Sequence, residues 1–96
     1  LYLKKQHQCS LHYHKNKDET FYVESGRVFF ELNGKTLTLL PGDCQRVQPG
    51  EKHRFSGLLE SVIFEFSTHH EESDSYRITQ SRKISEEEFK KIEGKL

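Results

Sequence analysis

The sequence predicts an all-β domain, an antiparallel sandwich or a small barrel, followed by one short helix. Apolar and polar residues alternate at period two in stretches such as "CSLHYH" and "KTLTLL". Turn signals recur at short intervals, among them Ser25-Gly26, Asn33-Gly34, Pro41-Gly42 and Pro49-Gly50. Many short strands joined by tight turns are typical of sandwiches and barrels, and the C-terminal stretch alone has a helical pattern.

The strands can be assigned in chain order. They are carried by "LYLKK", "CSLHYH", "ETFYVES", "RVFFELN", "KTLTLL", "CQRVQ", "RFSG", "SVIFEFS" and "DSYRITQ". Aromatic and β-branched residues favour a strand on each side of Ser25-Gly26. Asn33-Gly34 predicts a two-residue hairpin, because both central positions of a type I′ turn need positive φ. "SVIFEFS" is the most apolar strand and "DSYRITQ" the weakest.

The tail "ISEEEFKKIEGKL" predicts a helix. Ser85 is its expected N-cap, Glu88 three residues later completes a capping box, and Gly94 ends it. We therefore divide the chain into a β-barrel over residues 1–82 and a helical tail over residues 83–96.

Size and composition limit the function classes. The 96 residues suffice for one domain. The chain lacks Met and opens on what reads as the middle of a strand, so we expect a fragment, a processed chain or an excised domain, with N-terminal strands of the barrel missing. Lys+Arg 15 balance Asp+Glu 15 without a basic stripe, which argues against nucleic-acid binding.

Membrane spanning and secretion are also disfavoured. The sequence has no apolar run near the roughly 20 residues that cross a bilayer, and no signal-peptide pattern. Its two cysteines, Cys9 and Cys44, read as free, half-buried thiols of a cytoplasmic protein.

The stretch "SLHYHKNKDETFYVESG" carries the first chemical signal. His12 and His14 are two residues apart, so on a strand both imidazoles project from one face. The ordinary interpretation of such a pair is a surface feature, but a divalent cation would use a lone pair from each ring. Glu19 can add a carboxylate oxygen, and His53, after the Pro49-Gly50 turn, is the natural fourth ligand. Three imidazoles and a carboxylate suit Zn, Mn, Fe, Co or Ni better than Ca or Mg.

Two motifs then give a family resemblance. "HYHKNKDETFYVESG" resembles the first cupin motif, and "PGDCQRVQPGEKHRFSG" resembles the second, although Gly57 stands where that motif often has Asn. The resemblance implies a double-stranded β-helix. It also implies a metal inside the barrel, held by residues matching His12, His14, Glu19 and His53.

The stretch "SVIFEFSTHHEESDSYRI" is similar to the end of the cupin domain of type II mannose-6-phosphate isomerases. There an apolar strand carries a glutamate, and an acidic run leads to an arginine. Glu65, Asp74 and Arg77 match these features, while His69-His70 replace small residues in a shorter loop. The resemblance therefore implies a sugar-active cupin, similar also to the small lyxose or mannose isomerases.

Aldose–ketose isomerisation needs a Lewis acid and a base that moves a proton between neighbouring carbons. Glu65 is our candidate for the base if its strand turns it inward, where burial makes a carboxylate more basic; the same parity also allows a solvated, outward Glu65. Arg77 could hold a phosphate or a pair of hydroxyls, or could instead form a surface salt bridge with Asp74. Lys52 and Arg54 flank His53 and could also hold a phosphate.

Other function classes remain open at this point. The domain could be a metal-dependent sugar-binding module without turnover, or an iron(II) dioxygenase with the same ligands, so enzymatic activity is undecided. For partners, we expect a small-molecule carbohydrate and a homodimer formed through the open edge near Leu1 to Lys4.

Overall fold

The computed structural model describes residues 1–68 and 71–94. In chain order these residues form eleven strands, one 3-10 turn and one α-helix: β1 (Tyr2–Leu3), β2 (His7–Gln8), β3 (His12–His14), β4 (Glu19–Ser25), β5 (Val28–Leu32), β6 (Lys35–Leu39), β7 (Cys44–Val47), β8 (His53–Gly57), β9 (Ser61–Ser67), the 3-10 turn (Glu72–Asp74), β10 (Ser75–Arg77), β11 (Arg82–Lys83) and α1 (Glu86–Glu93).

The strands form two antiparallel sheets. The four-stranded sheet has the order β1-β9-β4-β7. The seven-stranded sheet has the order β10-β3-β8-β2-β11, and β5 joins β8 while β6 continues from β5. The predicted all-β architecture is confirmed.

The hydrophobic core lies between the inner faces of the two sheets. Alternating positions supply it, as two-residue periodicity requires. Its buried members are Leu3, Phe21, Val23, Val28, Phe30, Leu39, Val47, Phe55 and Ile63. The same inner faces also carry the polar residues described below.

Tight turns fix the register of the strands. The predicted hairpin at Asn33-Gly34 is confirmed, with φ of 49° and 81°. Gly26 has a φ of 92°, and a Cβ there would collide with the Ser61 side chain and the Glu60 carbonyl. At Gly57 a Cβ would meet the carbonyl oxygen of Lys4 at 2.5 Å. The glycine that departs from the second cupin motif is therefore required by a close backbone approach.

The C-terminal helix covers the outer face of the seven-stranded sheet. Ser85 is its N-cap, and the Ser85 hydroxyl accepts from the Glu88 amide at 3.2 Å, as predicted. The Glu88 carboxylate accepts from Arg82 at 2.7 Å. A second apolar cluster joins the tail to the sheet and comprises Phe29, Leu58, Ile84 and Phe89. The division between residues 82 and 83 stays a prediction, and β11 crosses that position.

Both cysteines are free, but their exposure differs from the prediction. Cys9 is half-buried as expected, whereas Cys44 is exposed. In the described part of the chain, no helix is long and apolar enough to cross a membrane.

Candidate metal centre

Three histidines meet on the inner face of the seven-stranded sheet. His12 and His14 project from the same face of β3, and His53 on β8 is the register partner of His12. One ligand nitrogen from each ring lies within 4.8 Å of those of the other two. The ring centroids are 4.3 to 5.7 Å apart. The predicted histidines therefore converge at one place.

The backbone orients these rings. Each Nδ1 lies near a main-chain carbonyl oxygen: His12 near that of Ser10 at 2.8 Å, His14 near that of Asp74 at 3.2 Å, and His53 near that of Glu51 at 3.0 Å. A carbonyl oxygen only accepts, so each Nδ1 must carry the proton and donate. Each Nε2 is then left with a lone pair, which is the arrangement that metal-binding histidines adopt.

Glu19 approaches the histidines from the opposite sheet. Its Oε2 lies 3.1 Å from His53 Nε2, and its Oε1 lies 3.5 Å from His14 Nε2. Glu19 Oε2 and His53 Nε2 are thus a close pair but are not joined by a hydrogen bond. Both atoms are buried without a hydrogen-bond partner in the described part of the chain. Unsatisfied buried polar atoms are costly, and a cation that takes a lone pair from each would satisfy both. The donor set therefore fits a divalent metal.

Lys17 is a residue of this site that the sequence reasoning missed. It is only 4% exposed. Its Nζ lies 2.8 Å from Glu19 Oε1 and 3.3 Å from Glu65 Oε2. Its position two residues before Glu19, at the entry to β4, was the available signal, because that spacing directs both side chains to the same face.

Burial and neighbouring charges set the protonation of the site. Burial by itself would raise the pKa of Glu19, but His53 and Lys17 outweigh it and lower the pKa to about 2. For Lys17, burial would lower the pKa, and the carboxylates of Glu19 and Glu65 raise it above its ordinary value instead. Burial lowers the pKa values of His12 and His14. At neutral pH His12 and His14 are therefore neutral imidazoles, Glu19 is a carboxylate and Lys17 is an ammonium group.

Glu65 lies on the inward side of its strand. It is the register partner of the buried Phe21, and it follows the buried Ile63 by two residues. Its side chain is 37% exposed, so the carboxylate lies where the barrel opens, with Lys17 between it and Glu19. Of the two orientations that parity allowed, the structure adopts the inward one.

Arg77 and the neighbours of His53 are placed differently. Arg77 is exposed on the edge strand β10 and is the register partner of His12, so both residues share the inner face. Arg54 lies on the opposite face from His53, where its guanidinium donates to Glu31 at 2.7 and 3.0 Å. Arg54 therefore does not reach the histidines. Lys52 is exposed, and His69-His70 lie outside the described residues.

Comparison with known proteins identifies the family. The cupin domain model matches residues 1–64, and the chain belongs to this family. The double-stranded β-helix that the two motifs implied is thereby confirmed. No curated protein matches the chain.

Solved structures share the fold at low sequence identity. Pac13 from Streptomyces, a nucleoside dehydratase, has a TM-score of 0.71 and 22% identity, over 91% of this chain and 70% of that one. KdgF from Halomonas has a TM-score of 0.68 and 26% identity, over 75% and 67% of the two chains. A candidate sugar phosphate isomerase from Acidithiobacillus ferrooxidans has a TM-score of 0.66 and 18% identity. The match covers 72% of this chain and 47% of that protein, so this chain spans about half of its length.

Proposed function

We propose that this cupin binds a divalent transition metal and acts on a sugar or sugar phosphate as an aldose–ketose isomerase or epimerase. The observation that carries the proposal is the buried pair Glu19 Oε2 and His53 Nε2, which have no hydrogen-bond partner in the described part of the chain, beside two further histidines. A second carboxylate, Glu65, is joined to that pair through Lys17 at the barrel opening.

His12, His14, Glu19 and His53 would hold the metal. Three neutral imidazoles with one carboxylate suit Zn, Mn, Fe, Co or Ni. When bound, the metal supplies the Lewis acid that polarises a substrate carbonyl.

The chain supplies the proton chemistry. Glu65 is the proposed base, which takes the proton from C2 of the sugar and returns it to C1, while the proton of the C2 hydroxyl passes to the C1 oxygen. Lys17 donates to Glu65 at 3.3 Å and so holds the carboxylate in one orientation. Phe21 packs beneath His53, with ring centroids 6.0 Å apart, and excludes water from that side.

Arg77 is the proposed binding residue for substrate hydroxyls or a phosphate. It shares the inner face with His12, is exposed, and lies on an edge strand. A planar guanidinium at such a rim donates two parallel hydrogen bonds to an anionic group.

The comparisons support a small-molecule substrate. The relatives with this fold include a candidate sugar phosphate isomerase and a nucleoside dehydratase that binds uridine. The resemblance of "SVIFEFSTHHEESDSYRI" to type II mannose-6-phosphate isomerases remains part of the proposal.

Two alternatives stay open, because the fold alone does not select a reaction. One solved structure with this fold is a salicylate 1,2-dioxygenase. An iron(II) dioxygenase would use the same ligands. A sugar-binding module without turnover would keep the ligands and would not need Glu65 as a base.

The test is metal analysis of the purified protein, followed by proton exchange in heavy water. The protein is loaded with Mn, Zn, Co or Fe(II) and incubated with aldoses and their phosphates. Exchange at C2 without oxygen uptake is the expected result. Oxygen uptake with Fe(II) would favour the dioxygenase, and sugar binding without exchange would favour the binding module. Absence of bound metal under all loadings would overturn the proposal.

Assembly and location stay predictions. β1 is an edge strand of the four-stranded sheet, as the expected pairing requires. The outer face of that sheet also exposes Tyr2, Phe64 and Phe66, at 58%, 45% and 62%. Light scattering on the purified protein in solution would show whether it has the mass of the predicted homodimer. The cytoplasmic location rests on composition alone.

A further inference from the structure

The segment after β9 contains a carboxylate with an unusual set of partners. Asp74 is 7% exposed, and its carboxylate accepts hydrogen bonds from three consecutive backbone amides. Oδ1 accepts from Lys15 at 2.9 Å and from Asn16 at 3.3 Å, and Oδ2 accepts from Asn16 at 3.0 Å and from Lys17 at 3.2 Å. The expected surface salt bridge to Arg77 is thus replaced by a buried contact with the backbone.

The same residue also touches a histidine of the site. The main-chain carbonyl of Asp74 accepts from His14 Nδ1 at 3.2 Å, and the Ser75 hydroxyl lies 3.4 Å from that nitrogen. This contact fixes the tautomer of His14 and the direction of its Nε2. Asp74 therefore holds His14 with its backbone and the following loop with its side chain.

That loop is short and carries much of the site. β3 ends at His14 and β4 begins at Glu19, so four residues connect the two sheets. Lys17 lies in this connection and reaches both Glu19 and Glu65 with its Nζ. A shift of the loop backbone would thus move His14, Lys17 and Glu19 together.

A second aspartate shows what an ordinary turn cap looks like in this protein. Asp43 Oδ2 accepts from a single amide, that of Leu40, at 2.8 Å, and Asp43 is exposed in the turn before β7. Among the described residues, no hydrogen bond or ion pair joins Asp43 to the histidines of the site or to Lys17. Asp74 differs from Asp43 because it is buried, accepts from three amides and contacts a histidine. Hydrogen bonds to an ionised carboxylate are strong, so three of them hold a loop more firmly than one.

We propose that Asp74 is a positioning residue of the metal centre, which fixes His14 and Lys17 by clamping the loop between β3 and β4 to the edge strand β10. The inference rests on the proposed metal binding and adds to it a residue outside the ligand set. It follows that metal affinity depends on Asp74 although its side chain donates nothing to the metal.

The experiment measures Co²⁺ affinity by calorimetry and the ligand-field absorption of bound Co²⁺. The variants are Asp74→Ala, Asp74→Asn and, as the matched control, Asp43→Ala. Outer partners of metal ligands typically contribute 10–100-fold in affinity. Asp74→Ala keeps the carbonyl that contacts His14 and removes only the carboxylate that holds the loop amides, so we expect Co²⁺ binding to weaken by about tenfold, the lower end of that range. Asp74→Asn keeps the shape and one acceptor oxygen, and should fall between Asp74→Ala and the unsubstituted protein.

If Asp74 only stabilised the fold, its variants would behave like the control Asp43→Ala. Asp43→Ala should lower the melting temperature while leaving Co²⁺ affinity within about twofold, and the absorption band should shift only in the Asp74 variants. If Asp74→Ala does not fold, Asp74→Asn decides. Equal Co²⁺ affinity of the Asp74 variants and the unsubstituted protein would overturn the inference and leave the proposed function intact. Failure of the unsubstituted protein to bind Co²⁺ would overturn both.

Discussion

Two triads of rings line the interior of the barrel and differ in one property. Phe21, Phe30 and Phe55 have ring centroids 5.4 to 5.9 Å apart. The imidazoles of the site, described above, are 4.3 to 5.7 Å apart. Phe21 and His53 connect the two triads, with centroids 6.0 Å apart. Spacing is therefore similar, and the chemistry of the buried atoms is what separates the triads.

Burial has opposite consequences in the two places. The phenyl rings leave no polar atom behind, so removing them from water stabilises the fold. The imidazoles and Glu19 bury atoms that need partners, and Glu19 Oε2 and His53 Nε2 have no hydrogen-bond partner among the described residues. Burying polar atoms without partners costs free energy, and a bound cation would remove that cost at the histidine triad. The phenyl triad buries no polar atom and needs no ligand. The phenyl triad should thus govern stability, and the histidine triad should govern metal binding.

The largest expected effect is on the phenyl side. Phe30 is 1% exposed, so Phe30→Ala should lower the free energy of unfolding by about 3–5 kcal/mol, measured by urea denaturation. Phe66→Ala is the control, because Phe66 is 62% exposed on the outer face and its loss should change stability by within about 0.5 kcal/mol. Equal losses in the two variants would contradict the assigned core.

His53→Ala tests the other triad. Removing a ligand should exceed the effect of an outer partner, so metal affinity should fall by more than about 100-fold, measured by calorimetry and metal analysis. The loss of stability without metal should be smaller than for Phe30→Ala, because an unsatisfied buried nitrogen disappears together with the ring.

The matched control for His53→Ala is His7→Ala. His7 lies on β2 of the same sheet, outside the histidine triad, and should leave metal affinity unchanged. Unchanged occupancy in His53→Ala would remove His53 from the ligand set.

Glu65→Gln separates metal binding from turnover. The amide keeps the size of the side chain but cannot accept a proton, so C2 exchange should fall by about 100-fold or more while metal content is retained. Glu24→Gln, on the exposed end of β4, should leave exchange unchanged. Persistent exchange in Glu65→Gln would place the base elsewhere.

The smallest expected effect is the difference in reactivity between the partly buried thiol of Cys9 and the exposed thiol of Cys44. Burial raises the pKa of Cys9 to about 11, although the Phe55 amide lowers it in part. Cys9 should remain protonated and unreactive at about pH 8, and become a thiolate only as the pH rises towards its raised pKa. A disulfide reagent should thus modify one thiol, that of the exposed Cys44, in the native protein and two after denaturation. Two fast-reacting thiols in the native protein would contradict the burial of Cys9.

Some parts of the site could be predicted because they follow from local spacing. The shared faces of His12 with His14, and of His53 with Phe55, are consequences of the two-residue period of strands. The Asn33-Gly34 turn and the Ser85 cap could also be predicted from the sequence, since each depends on the conformation of a few neighbouring residues. Lys17 was missed because its spacing from Glu19 indicates at most a shared face, whereas its burial between the carboxylates of two different strands depends on tertiary packing.

Other parts depend on how the two sheets face each other. Asp74 contacts residues 57 to 60 positions away in the chain, and its capped amides lie in a loop without any sequence signal. The orientation of Glu65 could not be decided from the sequence. Alternation divides the residues of a strand between two faces, but it does not say which face points into the barrel.

The sequence by itself therefore determined nine of the eleven described strands, the turns, the helix cap and the four residues that could bind a metal, because these depend on alternation and on turn chemistry between near neighbours. It missed the two-residue strands β2 and β11, which are too short to show alternation. Only the tertiary structure decided that Glu19 reaches the histidines from the opposite sheet, that Lys17 joins it to Glu65, and that Asp74 fixes the loop between them. These contacts are set by the packing of one sheet against the other, and no short-range pattern encodes that packing.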